Sequence, residues 1–169
     1  MFRSGESETQ VTDLAGQVAF AVGSGTWQVA ISARGFQNLL STLIVNGDQT
    51  PVFNLMPIAV SPPAGPDLCV VQAFVYQNGD PVSGAIVKAR LRDANSTIPA
   101  AVLSTQCLEA TTDSNGYAEL QLVRQPSFTS GLGIYIIDIW HTSRRILSLE
   151  TPIPNQSTAT LDQLISLQS

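Results

Sequence analysis

The chain has 169 residues, of which 44% are hydrophobic and only 12% are charged, so it can bury a core but lacks the charge that covers most protein exteriors. The exterior must therefore be covered by Ser, Thr, Gln and Asn or by other protein, and the second alternative favours assembly. The net charge of −5, the pI near 4.6 and the lack of a basic tract argue against a nucleic-acid binder, which requires a basic face for its phosphate contacts.

The first ten residues contain no apolar run after Arg3, which argues against a secretory signal. No apolar run elsewhere approaches the roughly 18 residues that a membrane helix needs. We therefore expect no membrane insertion.

A Thr-Asp-x-x-Gly turn occurs twice, in QVTDLAGQVAFAV near the start and in ATTDSNGYAELQLV a hundred residues later. An aspartate that opens a turn can accept hydrogen bonds from backbone amides two residues on, and glycine at the fourth position supplies a positive φ. DSNG also resembles a fragment of a calcium loop, but an EF-hand needs further carboxylates and a bidentate glutamate, so we predict no metal. The predicted structural turn residues are Asp13, Gly16, Asp113 and Gly116.

Period-two alternation of apolar residues follows both turns, and no helical period persists, which predicts an all-β fold. Behind the first turn, Val18, Phe20 and Val22 share one face of a predicted strand. The next strand of each copy places an aromatic residue first on its inward face, Trp27 in one copy and Tyr135 in the other. The sequence therefore predicts two copies of one β pattern.

Each copy ends in a weaker predicted strand, over residues 45–58 and 154–165. Between the copies, the three prolines of SPPAGPD indicate a stiff, extended linker. We predict a truncated repeat over residues 1–60, a linker over 61–66 and a complete domain over 67–169.

Three segments of the second copy carry a family resemblance: NGDPVSGAIVKARL, TTDSNGYAELQL and GIYIIDIW. Together they resemble the transthyretin-like, carboxypeptidase-regulatory-like β-sandwich, which is related to the CnaB modules of bacterial adhesins. In the first copy, VTDLAGQVAFAVGSGTWQVAISARGF matches only the second half of this pattern. The resemblance implies tandem β-sandwiches, the first incomplete at its N-terminus, in modules that act as spacers, display units or docking domains without catalytic activity.

Residues 1–10 are not expected to supply the missing strands of the first copy. A sandwich without them exposes unpaired backbone and a row of side chains that includes Val18, Phe20 and Trp27. We expect another chain, either a symmetry copy or a different protein, to cover this surface.

The outward side chains of the second copy are unusually apolar. Three reasons fit: the two copies pack on each other, the face is an intersubunit surface, or it is an aromatic platform for a glycan. A small basic stripe on a neighbouring strand is a further candidate for an acidic partner. The predicted interface residues of this copy are Ile134, Ile136, Trp140, Phe74, Tyr76, Lys88, Arg90 and Arg92.

No catalytic constellation is apparent. His141 is the sole histidine and lies at the end of a predicted inward row, where a structural histidine is expected. No Gly-x-Ser-x-Gly elbow, phosphate loop or zinc spacing occurs. Cys69 and Cys107 do not form a disulfide framework and are expected to be buried free thiols. We expect no enzymatic activity and no cofactor.

These observations favour a structural protein of a bacteriophage virion, either a capsid decoration protein or a tail or baseplate component. Such a protein is assembled in the host cytoplasm, tolerates free thiols, and relies on neighbouring chains or on its own oligomer to complete a truncated domain. The alternative is a secreted bacterial adhesion or carbohydrate-binding module on the cell surface.

Overall fold

A computed structural model describes residues 1–3, 6–63, 65–93, 97–98, 101–102, 107–129 and 132–166. Strands dominate these residues, so the predicted all-β class is confirmed. The chain separates into two compact units, Met1–Ile58 and Ala59–Ser169, which we call the first and the second unit. Residue 64 of the predicted linker lies outside the described residues.

The first unit is an antiparallel sheet organised around a long hairpin. Its strands are β1 (Phe2–Arg3), β2 (Glu6–Ser7), β3 (Gly25–Ile31) and β4 (Leu39–Val45), in the spatial order β2-β1-β3-β4. β3 and β4 pair along their full lengths. Alternate side chains of β3 are buried, with Trp27 only 3% and Val29 only 6% exposed.

Three predictions for the first unit are wrong. Residues 18–22 form no strand, because their alternating pattern meets no neighbouring strand with which to pair. Residues 1–10 do supply strands, since β1 pairs with the free edge of β3, where Phe2 lies opposite Gln28. The strand predicted over 45–58 reduces to the last residue of β4 and an isolated bridge at Pro57.

The second unit contains two main sheets. Its strands are β5 (Leu68–Phe74), β6 (Tyr76–Gln77), β7 (Asp80–Pro81), β8 (Ile86–Leu91), β9 (Thr97–Ile98), β10 (Ala101–Val102), β11 (Leu108–Thr111), β12 (Tyr117–Val123), β13 (Ile134–His141), β14 (Arg144–Pro152) and β15 (Thr158–Thr160). One sheet has the order β11-β8-β13-β14, and the other has the order β12-β5-β15 with β15 parallel to β5. Two short hairpins, β6 with β7 and β9 with β10, accompany them.

The inner faces of these two sheets contribute to one hydrophobic core. The predicted inward row of β13 is confirmed, because Tyr135, Ile137 and Ile139 are at most 5% exposed. The Tyr135 hydroxyl also accepts a hydrogen bond from the Val123 amide of the opposite sheet at 3.2 Å. Burial raises the pKa of this hydroxyl above its ordinary value.

The strand predicted over 154–165 is only partly correct. β15 ends at Thr160, and the helix α1 (Leu161–Ser166) follows, with Leu161 and Leu164 buried. Thr160 and Gln163 form a capping box: the Gln163 side chain accepts the Thr160 amide at 2.9 Å, and the Thr160 hydroxyl accepts the Gln163 amide at 3.3 Å. Among the described residues, no helix is long and apolar enough to cross a membrane.

Candidate functional site

The outer face of the sheet β11-β8-β13-β14 carries the main candidate site, which we call the Trp140 face. Cross-strand register arranges its side chains in rows that run across the strands. The central row contains Glu109, Lys88, Asp138 and Ser148, and the flanking rows contain Thr111, Ile86, Trp140 and Arg145 on one side and Arg90, Ile136 and Glu150 on the other. Apolar and charged groups therefore alternate over short distances.

Many of the charged side chains on this face form ion pairs with one another. Lys88 Nζ lies 2.6 Å from a Glu109 oxygen, and this hydrogen bond raises the pKa of the lysine. Arg145 approaches Asp138 Oδ1 at 3.6 Å, and Arg92 approaches Glu150 at 3.5 Å. These pairs are long or largely exposed, so each contributes at most about 1 kcal/mol to stability.

Two charged groups on this face are candidates for contacting a ligand. Within the described part of the chain, Arg90 forms no ion pair. Asp138 Oδ1 is buried, and among the described residues it accepts no hydrogen bond, because the Arg145 guanidinium at 3.6 Å is beyond hydrogen-bonding distance. A buried carboxylate oxygen without a donor is costly, so it favours a ligand that brings a donor.

Two adjacent hollows flank the Trp140 indole. The first, of about 280 Å³, is lined by Lys88, Arg90, Cys107, Ile136, Asp138 and Trp140. The second, of about 190 Å³, is lined by Gly84, Ile86, Lys88, Trp140, His141, Thr142 and Ser143. Because Trp140 and Lys88 line both, the indole stands between the hollows.

A strained hairpin borders the second hollow. The two residues between β13 and β14, Thr142 and Ser143, have φ values of 48° and 63°. Tight hairpins of this kind favour Asn-Gly, because a β-branched residue at positive φ is strained. The hairpin holds two hydroxyl-bearing residues and the half-exposed His141 at the hollow's rim.

The structure separates the predicted interface residues. Ile134, Ile136 and Trp140 lie on the Trp140 face, whereas Phe74 lies on the outer side of the other sheet. Phe74 packs there on Tyr117, with ring centroids 5.2 Å apart. Tyr76 follows β5 in the short β6–β7 hairpin, so the two groups cannot form one contact surface.

Glu119 organises the outer face of the sheet β12-β5-β15. Its carboxylate accepts hydrogen bonds from the Tyr117 hydroxyl at 2.7 Å and from the Ser61 amide at 3.2 Å. Partial burial alone would raise the Glu119 pKa, but these two hydrogen bonds lower it below its ordinary value. Burial and the bond to Glu119 raise the Tyr117 pKa. Ser61, in the predicted linker, is therefore attached to the second unit.

The two Thr-Asp turns have the same backbone geometry. Asp13 Oδ1 accepts the amides two and four residues on at 2.9 and 2.8 Å, and Asp113 Oδ1 does so at 2.8 and 3.0 Å. Gly16 and Gly116 have φ values of 75° and 71°. The second Asp113 oxygen accepts the Asn115 side-chain amide at 3.1 Å. A calcium ion would have to displace these bonds.

The surroundings of the two turns differ. A Cβ at Gly116 would clash with the carbonyl oxygen of Val75, whereas one at Gly16 would meet no atom within 4 Å. Thr112 is buried, and its hydroxyl accepts the Ala85 amide at 2.9 Å and donates to the Val82 carbonyl at 2.7 Å. The second turn is therefore packed against the loop before β8.

The predicted exposure of Trp27 in an uncovered chain is wrong. Its indole N–H donates to the Gly23 carbonyl at 3.0 Å, and the Arg3 guanidinium lies 4.7 Å from the ring centroid. Val18 is 40% exposed and Phe20 is half-buried. Other apolar side chains of the first unit are far more exposed, namely Val11 at 92%, Leu14 at 109%, Val52 at 81%, Met56 at 67%, Leu40 at 67% and Ile44 at 61%.

Both cysteines are free thiols. Cys69 lies in the core, where burial raises its pKa despite the opposing effect of Arg124. Cys107 is half-buried at the first hollow, so the prediction of burial fails in part for this residue. In the described part of the chain, no three His, Cys, Asp or Glu side chains come together as a metal site.

Sequence reasoning did not assign seven of the residues that line the hollows to a site: Gly84, Ile86, Cys107, Asp138, His141, Thr142 and Ser143. Thr-Ser is not one of the residue pairs that signal a two-residue hairpin, so no turn signal in the sequence marks this position. Comparisons with family models, curated proteins and solved structures give no match. The described residues thus define an all-β protein with a recessed aromatic site in the second unit and strongly exposed apolar side chains in the first unit.

Proposed function

We propose that the chain is a non-enzymatic structural protein of a bacteriophage virion, and that it acts through protein–protein assembly. In this proposal the two units are tandem transthyretin-like β-sandwich modules, related to CnaB modules, of which the first is incomplete. A capsid decoration protein and a tail or baseplate component are the two placements. Neighbouring virion proteins or other copies of the chain are its partners.

The strongly exposed apolar side chains of the first unit are the observation that carries this proposal. Val11, Leu14 and Val52 are at least 81% exposed, so they contribute almost nothing to the fold of the isolated chain. Only Arg34 and Asp48 carry charge between residues 14 and 66. Burying one such side chain is worth roughly 1.5 to 3 kcal/mol, so covering several of them favours association.

The free thiols also support assembly inside a cell. Structural disulfides are common in proteins exposed to oxidising surroundings, and the reducing cytoplasm keeps thiols free. Cys69 and Cys107 are both unpaired. A secreted adhesion module is the alternative class, and mass spectrometry of purified virions against cell-surface fractions distinguishes the two.

The assembly proposal is tested with polar replacements of exposed residues. Leu14→Ser and Val52→Ser should weaken self-association or binding to virion neighbours at least tenfold, measured by light scattering, without lowering the melting temperature. Ile146→Ser, at a residue 51% exposed in the second unit, is the matched control and should have no effect. Equal association of all variants would contradict the proposal.

Hydrogen exchange gives a second measurement. In the isolated chain the amides that join β3 and β4 should already be slow to exchange, because that ladder is complete. Residues 8–24, which form no strand, should become protected only in the assembly. Protection of 8–24 at high dilution would show that the first unit is self-sufficient.

A further inference from the structure

We propose that the Trp140 face binds an acidic oligosaccharide, with two consecutive sugar units in the two hollows that flank the Trp140 indole. This site lies wholly in the second unit and does not depend on the virion proposal. The ligand class is a glycan that contains a uronic acid or another carboxylated sugar.

The shape of the site favours a sugar chain over a protein partner. A docking surface for protein presents exposed apolar anchors, as the first unit does with Leu14 and Val52. On the Trp140 face the apolar side chains are recessed: Trp140, Ile136 and Ile86 are all half-buried between charged neighbours. A sugar ring has an apolar C–H face and a rim of hydroxyls, which fits such alternation.

The spacing and volume of the hollows are also suitable. Successive outward positions on a strand lie about 7 Å apart. Each flanking row therefore lies about 7 Å from the Lys88–Asp138 row, a distance on the scale of one sugar ring. Each hollow, at about 280 or 190 Å³, is smaller than the roughly 300–1,000 Å³ of a site for a drug-sized ligand, as expected for a subsite that holds a single sugar unit. An indole between two hollows can pack against a ring on either side.

The chemistry of the first hollow indicates an acidic sugar. Arg90 has no ion pair in the described part of the chain, and its planar guanidinium can bind a carboxylate through two parallel hydrogen bonds. Asp138 Oδ1 is buried, and no donor from the residues that the structure describes is within hydrogen-bonding distance of it. A sugar hydroxyl can supply that donor while the sugar carboxylate binds Arg90.

The second hollow suits a neutral sugar. Ser143 offers a hydroxyl that both donates and accepts hydrogen bonds, whereas the Thr142 hydroxyl donates to the His141 carbonyl at 2.8 Å and is left to accept one; His141 lies beside them. Lys88 lines this hollow too, but its ammonium group already forms an ion pair with the Glu109 carboxylate at 2.6 Å. An alternating acidic and neutral glycan would therefore match both hollows.

Isothermal titration of the full chain with a hyaluronan tetrasaccharide, in which glucuronic acid alternates with N-acetylglucosamine, tests the proposal. We expect saturable binding, with a neutral N-acetylglucosamine tetramer bound at least tenfold more weakly. Arg90→Gln should weaken the acidic ligand at least tenfold. Arg34→Gln, which removes the same charge from the first unit, should change the affinity less than twofold.

Asp138→Asn separates a sugar site from a general anion site. If Asp138 accepts a sugar hydroxyl, the substitution weakens the tetrasaccharide at least fivefold; if the hollow only attracts negative charge, removal of the carboxylate tightens binding. Trp140→Ala should abolish binding, and a melting curve of each variant verifies folding. Absence of binding at millimolar tetrasaccharide, equal binding of tetraglutamate, or tighter binding by Asp138→Asn would each overturn the proposal.

Discussion

Thr112 provides a sharp test of what holds the second unit together. Its buried hydroxyl bridges the Ala85 amide and the Val82 carbonyl, so it joins the Thr-Asp turn to the loop before β8. Thr112→Val keeps the shape of the side chain but removes both hydrogen bonds. The backbone bonds between Thr112 and Gly84 and between Thr112 and Ala85, at 2.9 and 2.8 Å, are unaffected.

The expected loss of stability follows from these contacts. A buried donor or acceptor that loses its partner costs about 1–3 kcal/mol, and the substitution strands one of each. The added methyl group returns about 0.8 kcal/mol. We therefore expect the free energy of unfolding of the second unit to fall by about 1–5 kcal/mol. At roughly 4 °C per kcal/mol for a unit of this size, its melting temperature should fall by about 4–20 °C.

Calorimetry measures this effect, and the first turn supplies the control. Thr12 occupies the equivalent position and is exposed, so Thr12→Val should leave both transitions unchanged. Thr112→Ser keeps the hydroxyl and should recover most of the lost stability. If Thr112→Val melts within about 2 °C of the parent protein, the bridging hydroxyl contributes nothing net and the reasoning is refuted.

Three further predictions concern single features of the fold. Gly116→Ala should destabilise the second unit by about 3 kcal/mol or more in urea unfolding, because the new Cβ meets backbone as well as positive φ, whereas Gly16→Ala should cost only about 1 kcal/mol in the first unit. Replacing Thr142 and Ser143 together by Asn-Gly should raise the stability by about 1–2 kcal/mol in the same assay, and unchanged stability would show that the hairpin is unstrained. Because hydrogen bonds lower the Glu119 pKa in the folded state, the stability that this carboxylate contributes is complete above the ordinary glutamate range and is lost as the pH falls through the lowered pKa. Glu119→Gln should therefore flatten the acid side of the stability–pH curve, and an unaltered acid side would contradict this role.

Local patterns predicted the long, paired strands well. Along β13 the residues Tyr135, Ile137 and Ile139 alternate with outward residues, and the structure buries all three. The same alternation at Val18 and Phe20 gave no strand, because a strand also requires a neighbour whose backbone completes the ladder. That neighbour is set by the rest of the chain, so a period-two pattern alone cannot distinguish the two cases.

The recessed site was harder to predict than the strands. The sequence shows that Lys88, Arg90 and Trp140 face outward, but not that Lys88 lies opposite both Glu109 and Asp138. Those neighbours depend on the register of three strands, and a shift of one residue would turn each strand's outward side chains inward. From the sequence, Asp138 is therefore interpreted as an interruption in an apolar row. In the structure it supplies a buried oxygen at the first hollow that accepts no hydrogen bond from the described residues.

The two Thr-Asp turns show which part of the repeated pattern can form from its own residues alone. Their hydrogen bonds agree within 0.2 Å, although one turn is exposed and the other is packed against the Val75 carbonyl. A turn of this kind forms from its own side chain and backbone. A strand after the turn does not form in this way: after Gly116, β12 pairs with β5, whereas among the described residues those directly after Gly16 pair with no strand. The turn therefore forms from its own residues, whereas the strand depends on a neighbour supplied by another part of the sheet.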